Sequence, residues 1–267
     1  MIGCTTEQIL APLADGATAP SPLRQHVTRF PGRPPDAPPI PALIRTIPET
    51  GSTNADLLAA LRDGEPLHEG DWLVADRQSA GRGRQGRGWH DGHGNFMGST
   101  AVRISPRDPA PATLALVAGV AAYEAVSAVL AEPGKLRLKW PNDLMLGDAK
   151  LAGILLEREG DRIIVGMGVN LAAAPDLPDR KTVALAELGP APDRDMFART
   201  LAEAFDRELE RWRTYGLEPL TRRWASVAHP PGTRLTVQPP GEERIEGAFA
   251  GLTPDGALSL RLADGST

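Results

Sequence analysis

KLRLKWPNDLMLGDAKLAGILLEREGDRIIVGMGVN (135–170) is the stretch on which the fold turns. KLRLKW (135–140) alternates apolar and charged side chains in the period-two manner of a half-buried strand. NDLML (142–146) and KLAGILLE (150–157) are apolar runs around Gly147, Asp148 and Ala149, the turn chemistry of a hairpin. RIIVGMGVN (162–170) continues the run of strands. Pro141 has no amide to donate to a ladder, so the Trp140–Asn142 region marks a strand end. Upstream, ATLALVAGVAAYEAVSAVLA (112–131) is long enough to raise a membrane span, but it is rich in alanine and carries Glu124. A buried amphipathic helix is the reading. Downstream, DRDMFARTLAEAFDRELERWR (193–213) sets Phe197, Leu201, Phe205, Leu209 and Trp212 at helical spacing. Strands flanked by helices predict a mixed α+β domain.

Further out, DWLVAD (71–76) and TAVRI (100–104) read as strands, and ADLLAALRD (55–63) as a helix with Leu57, Leu58 and Leu61 on one face. After His229 the pattern becomes TRLTV, RIEGAFAGL and ALSLRLADG, short antiparallel strands with tight turns. The closing ADGST (263–267) has the look of a hairpin turn without its return strand. Nine of the 26 prolines fall before residue 42, so that leader is expected to run extended or loop-like. The organisation expected is a proline-rich extension over 1–41, a mixed domain over 42–228 and a small, incomplete all-β unit over 229–267.

The totals bound the function. Twenty-nine basic against thirty-four acidic residues give a net charge of −5, so bulk attraction to nucleic acid is excluded and any phosphate chemistry must be local. Cys4 is alone, which excludes an internal disulfide framework and a cysteine-rich zinc site and fits a reducing compartment. No basic-then-apolar secretory signal opens the chain. A cytoplasmic protein outside the membrane is expected.

Four segments carry candidate chemistry. DRQSAGRGRQGRGW (76–89) alternates Gly81, Gly83, Gly86 and Gly88 with Arg82, Arg84 and Arg87. Glycines let backbone amides approach a ligand, and arginines supply forked donors for phosphate or carboxylate. Trp89 could close over a flat ring. The same composition suits an RNA-binding RGG tract or a solvated loop, and spacing does not choose. In KWPNDLMLGDAKLAGILLE, Asn142 and Asp143 sit at a strand end and Lys150 at the rim of a buried run, where it could meet a developing oxyanion. Solvated hairpin residues are the plainer reading for Asn142 and Asp143. Ser52, Thr53 and Asn54 stand at a helix start, where anion binding competes with commoner N-capping. Gly166 and Gly168 indicate either a ligand close to the strand or a bulge. His90 and His93 lack a third ligand at metal-site spacing and read as exposed loop residues, and Met145, Met167 and Trp212 as core.

Together GSTN, QSAGRGRQGRGW, KWPNDL with KLAGIL, and GMGVN resemble the biotin–protein ligases over about residues 45–225, in the family's order and spacing. The resemblance implies a mixed sheet with flanking helices, of the class II aminoacyl-tRNA synthetase and biotin–lipoate ligase kind, followed by a small SH3-like barrel. It implies ATP-dependent attachment of biotin to one lysine of a biotin carboxyl carrier domain through biotinyl-5′-AMP, with Mg2+ as cofactor. By the same resemblance Ser52, Thr53, Asn54, Gln78, Arg82, Gly83, Arg84, Lys150, Gly153 and Gly168 would contact biotin. Arg84, Arg87, Trp89, Asn142, Asp143 and Asn170 would serve the nucleotide, and Asp143 the metal. Lys150, Arg82 and Arg84 would carry the catalysis. Gln85 and Gly88 depart from the often basic residues at those loop positions, which implies a weaker grip on phosphate. The first 45 residues show no helix-turn-helix, so no DNA partner is expected and the protein would be a ligase only, as a monomer or homodimer. A lipoate ligase and a nucleic-acid-binding regulator are the competing readings.

Overall fold

The computed structural model describes residues 42–237 and 244–267. The proline-rich extension lies outside them. Seven strands form one sheet: β1 (Ile44–Thr50), β2 (Trp72–Gln78), β3 (Phe96–Arg103), β4 (Leu136–Lys139), β5 (Asp143–Leu146), β6 (Ala149–Glu159) and β7 (Arg162–Val169). Their order is β1-β2-β3-β7-β6-β5-β4. The stretch 135–170 thus supplies four consecutive neighbours, β4 through β7. Short links such as 147–148 join only antiparallel strands. Gly147 (φ 59°) and Gly160 (φ 58°) take the left-handed backbone that these turns require. Only β1 and β2 run parallel, and the chain crosses between them through α1 (Thr53–Arg62).

The pleat divides the sheet into two faces. Phe96 and Val102 of β3, Ile154 and Leu156 of β6 and Val165 and Val169 of β7 join a large core with α2 (Leu114–Ser127), α3 (Arg194–Tyr215) and α4 (Leu217–Ser226). Aromatic edges lock α3 to the sheet, with Trp72 and Phe205 at 5.6 Å and Phe96 and Phe197 at 5.9 Å. On the other face Leu57 and Leu58 of α1 pack on Leu73, Ala101 and Ile164. Leu61 packs beside them. The part of this face that α1 leaves uncovered becomes the floor of a pocket.

Helix α2 is buried almost all round, as its alanine-rich composition allows, and among the described residues no helix is long and apolar enough to cross a membrane. It is shorter than the apolar stretch implied, opening with a single turn at Pro111–Thr113 and ending at Ser127. Strand β3 begins earlier than TAVRI, because Phe96, Met97 and Ser99 are as buried as the residues that follow. Two buried polar groups tie the helices of this layer together, although Trp72 Nε1 and Ser127 Oγ have no partner among the described residues. Trp212 Nε1 donates to Thr113 Oγ1 at 2.8 Å, and the buried Glu208 pairs with Arg211 and Arg223, tying α3 to α4.

Two elements escaped the sequence reading. IRTIPET of β1 lacks an apolar run, and Pro48 confines it to the sheet edge, where the register passes over that residue. Helix α4 is only ten residues and buries just Leu220 and Trp224. Past it, β8 (Arg234–Val237), β9 (Ile245–Leu252) and β10 (Leu258–Arg261) form the expected antiparallel strands, as a three-stranded sheet in the order β10-β9-β8. It joins the larger unit through Phe249 against Trp224, 6.5 Å between ring centres, and through Trp140 Nε1, which donates to the Gly256 carbonyl at 3.2 Å. The Trp140–Pro141 peptide is cis and closes β4 where the proline was expected to end it.

Candidate active site

The floor is a row of paired residues across three strands, Gly168, Gly153 and Asp143, with Met97 of β3 next in register. Beside it runs Ser99, Gly166 and Leu155. Strand β7 keeps regular register with both neighbours, so its glycines mark no bulge. They make room for side chains instead. A Cβ on Gly168 would overlap the Trp89 indole, and one on Gly166 would overlap the Asn54 carboxamide.

One end of the pocket is neutral and hydrogen-bonded. Thr53 donates its backbone N–H to Gln78 Oε1 at 2.7 Å. The Thr53 and Ser99 hydroxyls lie 2.7 Å apart, and Ser99 Oγ donates to Asn54 Oδ1 at 2.6 Å. Asn54 Nδ2 then donates to Glu157 Oε2 at 2.8 Å. The N-capping expected of GSTN is therefore replaced: Ser52 stands at the cap position without a side-chain cap bond, and the Gln78 carboxamide takes the helix amide. That exchange leaves the Thr53 and Asn54 side chains to the pocket wall.

The glycine–arginine segment folds back on itself over the floor. Gly83 N–H donates to the Arg87 carbonyl at 2.7 Å and Trp89 N–H to the Gly81 carbonyl at 2.9 Å, with Gln85 in left-handed backbone (φ 57°) at the tip. This places Arg82 Nη2 at 3.2 Å from Glu157 and lets Arg84 Nη1 donate to Asn142 Oδ1 at 3.3 Å. It also lays the Trp89 ring above Gly153 and Gly168, with Lys150 Nζ 6.0 Å from the ring centre.

The far wall is charged. Lys150 Nζ donates to Asp143 Oδ1 at 2.5 Å, and Asn142 Nδ2 donates to the Ile154 carbonyl at 2.7 Å. The backbone of Lys150 bonds both Lys181 O (2.9 Å) and Val183 N (3.1 Å), which draws the segment 171–183 against the pocket. Asn170 donates Nδ2 to the Val183 carbonyl at 3.2 Å. Its buried Oδ1, like the buried Trp89 Nε1, has no partner among the described residues.

These walls enclose about 340 Å³, and every residue expected in the site lines it, from Ser52, Thr53, Asn54 and Gln78 to Lys150, Gly153, Gly168 and Asn170. Five cationic side chains (Arg82, Arg84, Arg87, Lys150, Arg180) face it against two anionic ones (Asp143, Asp179). In a chain of net charge −5 that local excess selects for an anionic ligand. His90 and His93 are exposed, as expected, and Met145, Met167 and Trp212 are buried. Among the described residues no cluster of three or more His, Cys, Asp or Glu could hold a metal. The sequence reading missed Ser99, Glu157 and the 171–183 wall. Glu157 had one legible signal: it shares a strand face with Gly153 and Leu155 at period two.

Comparison with known proteins agrees with this geometry. The model of the Biotin/lipoate A/B protein ligase family matches residues 47–171. A biotin–[acetyl-CoA-carboxylase] ligase of Paracoccus denitrificans is 38% identical over 223 residues, covering 79% of this chain and 91% of that protein. The enzyme of the same name from Mycobacterium tuberculosis is 35% identical, covering 81% and 82%. Among solved structures, biotin protein ligase from Aquifex aeolicus in complex with biotin and ATP superposes with a TM-score of 0.74 at 26% identity, over 84% of this chain and 93% of that one. A pocket neutral at one end and cationic at the other, on this sheet and with these relatives, places the chain among the biotin–protein ligases of the biotin/lipoate A/B protein ligase family.

Proposed function

We infer that this chain uses ATP to attach biotin to a lysine of a biotin carboxyl carrier domain, through biotinyl-5′-AMP. The observation that carries the reading is the pocket's polarity. The Gln78–Thr53–Ser99–Asn54 chain suits a neutral cyclic urea, and Lys150 with Arg84 at the other end suits a carboxylate meeting a phosphate. Gly153 and Gly168 let the Trp89 ring settle over the floor between the two ends.

In the first step a biotin carboxylate oxygen attacks the α-phosphorus of ATP and pyrophosphate leaves. In the second the carrier lysine amine attacks the acyl carbon, AMP leaves, and the amine gives up a proton. Both steps gather negative charge on oxygen, so preorganised cations and donors supply most of the acceleration. Lys150 would bridge carboxylate and α-phosphate, and Arg82 and Arg84 would hold the folded segment over them. Asn170 Oδ1 and Trp89 Nε1 offer an acceptor and a donor to the purine. A magnesium ion would neutralise the phosphates when bound. The residues present fit an ion that arrives on the nucleotide, with Asp143 as the protein oxygen, since Mg2+ commonly keeps one or two carboxylates plus phosphates.

We also propose a division into a catalytic unit over 42–228 and an SH3-like unit over 229–267, action in the cytoplasm and no need of DNA. Isothermal titration tests the pocket: biotin should bind and lipoate should give no comparable heat. Tighter binding of lipoate would overturn the assignment.

A further inference from the structure

Glu157 is the last buried residue of β6, 8% exposed, and nothing in the proposed chemistry uses it. Two groups hold its carboxylate. Asn54 Nδ2 donates to Oε2 at 2.8 Å, and Arg82 Nη2 lies 3.2 Å from Oε1. Burying a carboxylate is costly unless it is paired and hydrogen-bonded, and these two groups do both. The first contact orients the Asn54 amide, since Oδ1 is already taken by the Ser99 hydroxyl at 2.6 Å and the amide has no second arrangement that satisfies both neighbours. The second contact pins the root of the glycine–arginine segment, because Arg82 sits where that segment pairs with itself opposite Gly88. One buried group therefore joins the donor–acceptor pattern at the neutral end of the pocket to the seat of the segment that covers it.

We propose that Glu157 is a positioning residue that couples recognition at the neutral end of the pocket to the seating of residues 81–89. The coupling rests on the reading of the pocket as a biotin site. With Glu157 in place, a ring held by Asn54 steadies the same carboxylate that holds Arg82, so ligand binding and segment ordering reinforce each other. Without its charge, the Asn54 contact survives but Arg82 loses its anchor.

Glu157→Gln keeps the shape and an acceptor for Asn54 while removing the charge. The biotin KM should rise on the order of tenfold, the size of one charge-assisted hydrogen bond, with a smaller effect on kcat. Biotin should also cease to protect the bonds after Arg82, Arg84 and Arg87 from trypsin. Arg82→Gln should behave the same way, and the double variant no worse than either single one. Glu159→Gln, which breaks only the exposed pair with Arg62, serves as the control with wild-type kinetics. The coupling is overturned if Glu157→Gln keeps both the wild-type KM and biotin protection, if it lowers only the melting temperature, or if its effect adds to that of Arg82→Gln. A wild-type enzyme that binds no biotin would instead overturn the reading of the pocket.

Discussion

At Gly168 a Cβ would overlap the Trp89 indole, and at Gly153 it would come within 3.1 Å of both that ring and the Lys150 ammonium. Gly168 is not among the positive-φ glycines, so alanine there strains no backbone. Gly168→Ala should displace Trp89 and raise the KM for ATP about tenfold while changing stability by about 1 kcal/mol or less, as initial rates and denaturant melts would show. Lys150→Ala removes the cation from the charged wall. Adenylate formation, followed as pyrophosphate release, should fall roughly 10²–10³-fold, the range for losing one preorganised donor. A folded variant releasing pyrophosphate at the wild-type rate would exclude Lys150 from the step. Residues of this kind were legible because each lies in a short local pattern with unusual chemistry. Ser99 was not, and Glu157 showed only its period-two place beside Gly153 and Leu155, since the meaning of both comes from strand register: Glu157 meets Asn54 from 103 positions away.

Among the elements, the segment 81–89 was readable in composition and unreadable in form. Its glycines allowed a loop gripping phosphate, an RNA-binding tract or free solvation, and what decides is its pairing from Gly81 to Trp89 above β6 and β7. Arg84 reaches from its tip to Asn142 on the far wall. Arg84→Ala should loosen that closure and let the acyl-adenylate escape, so that biotin appears on lysines of bystander proteins. Streptavidin blots against an added non-carrier protein measure this, and labelling at the wild-type level would remove the segment from the role of cover. The hairpins of 135–170 were legible because period-two apolar runs and tight turns state their own pairing. Strand β1 was not, because a parallel edge strand is specified by a crossover, and Pro48 breaks its pattern.

Across the whole molecule, an acidic chain gathers cationic side chains around one cavity, and the charge total alone could exclude bulk nucleic-acid attraction without locating that patch. The junction of the larger unit with the three-stranded sheet carries a titratable group. Burial, with Lys139 and Arg137 nearby, holds the His229 pKa below its ordinary value. The unfolded chain then takes up the proton first as pH falls. Stability from neutral His229 is full above the ordinary histidine range and is lost as pH drops through the folded pKa. His229→Gln should flatten the loss of stability on acidification, measured as denaturant midpoints from neutral to mildly acidic pH. An unchanged slope would place the sensitivity elsewhere. The central claim is the transfer itself. Incubating the protein with biotin, ATP, magnesium and a biotin carboxyl carrier domain, then weighing the carrier by mass spectrometry, should show one added biotinyl group on a single lysine, absent without ATP and with Lys150→Ala. A carrier that stays unmodified with biotin, or that gains lipoate instead, would contradict it.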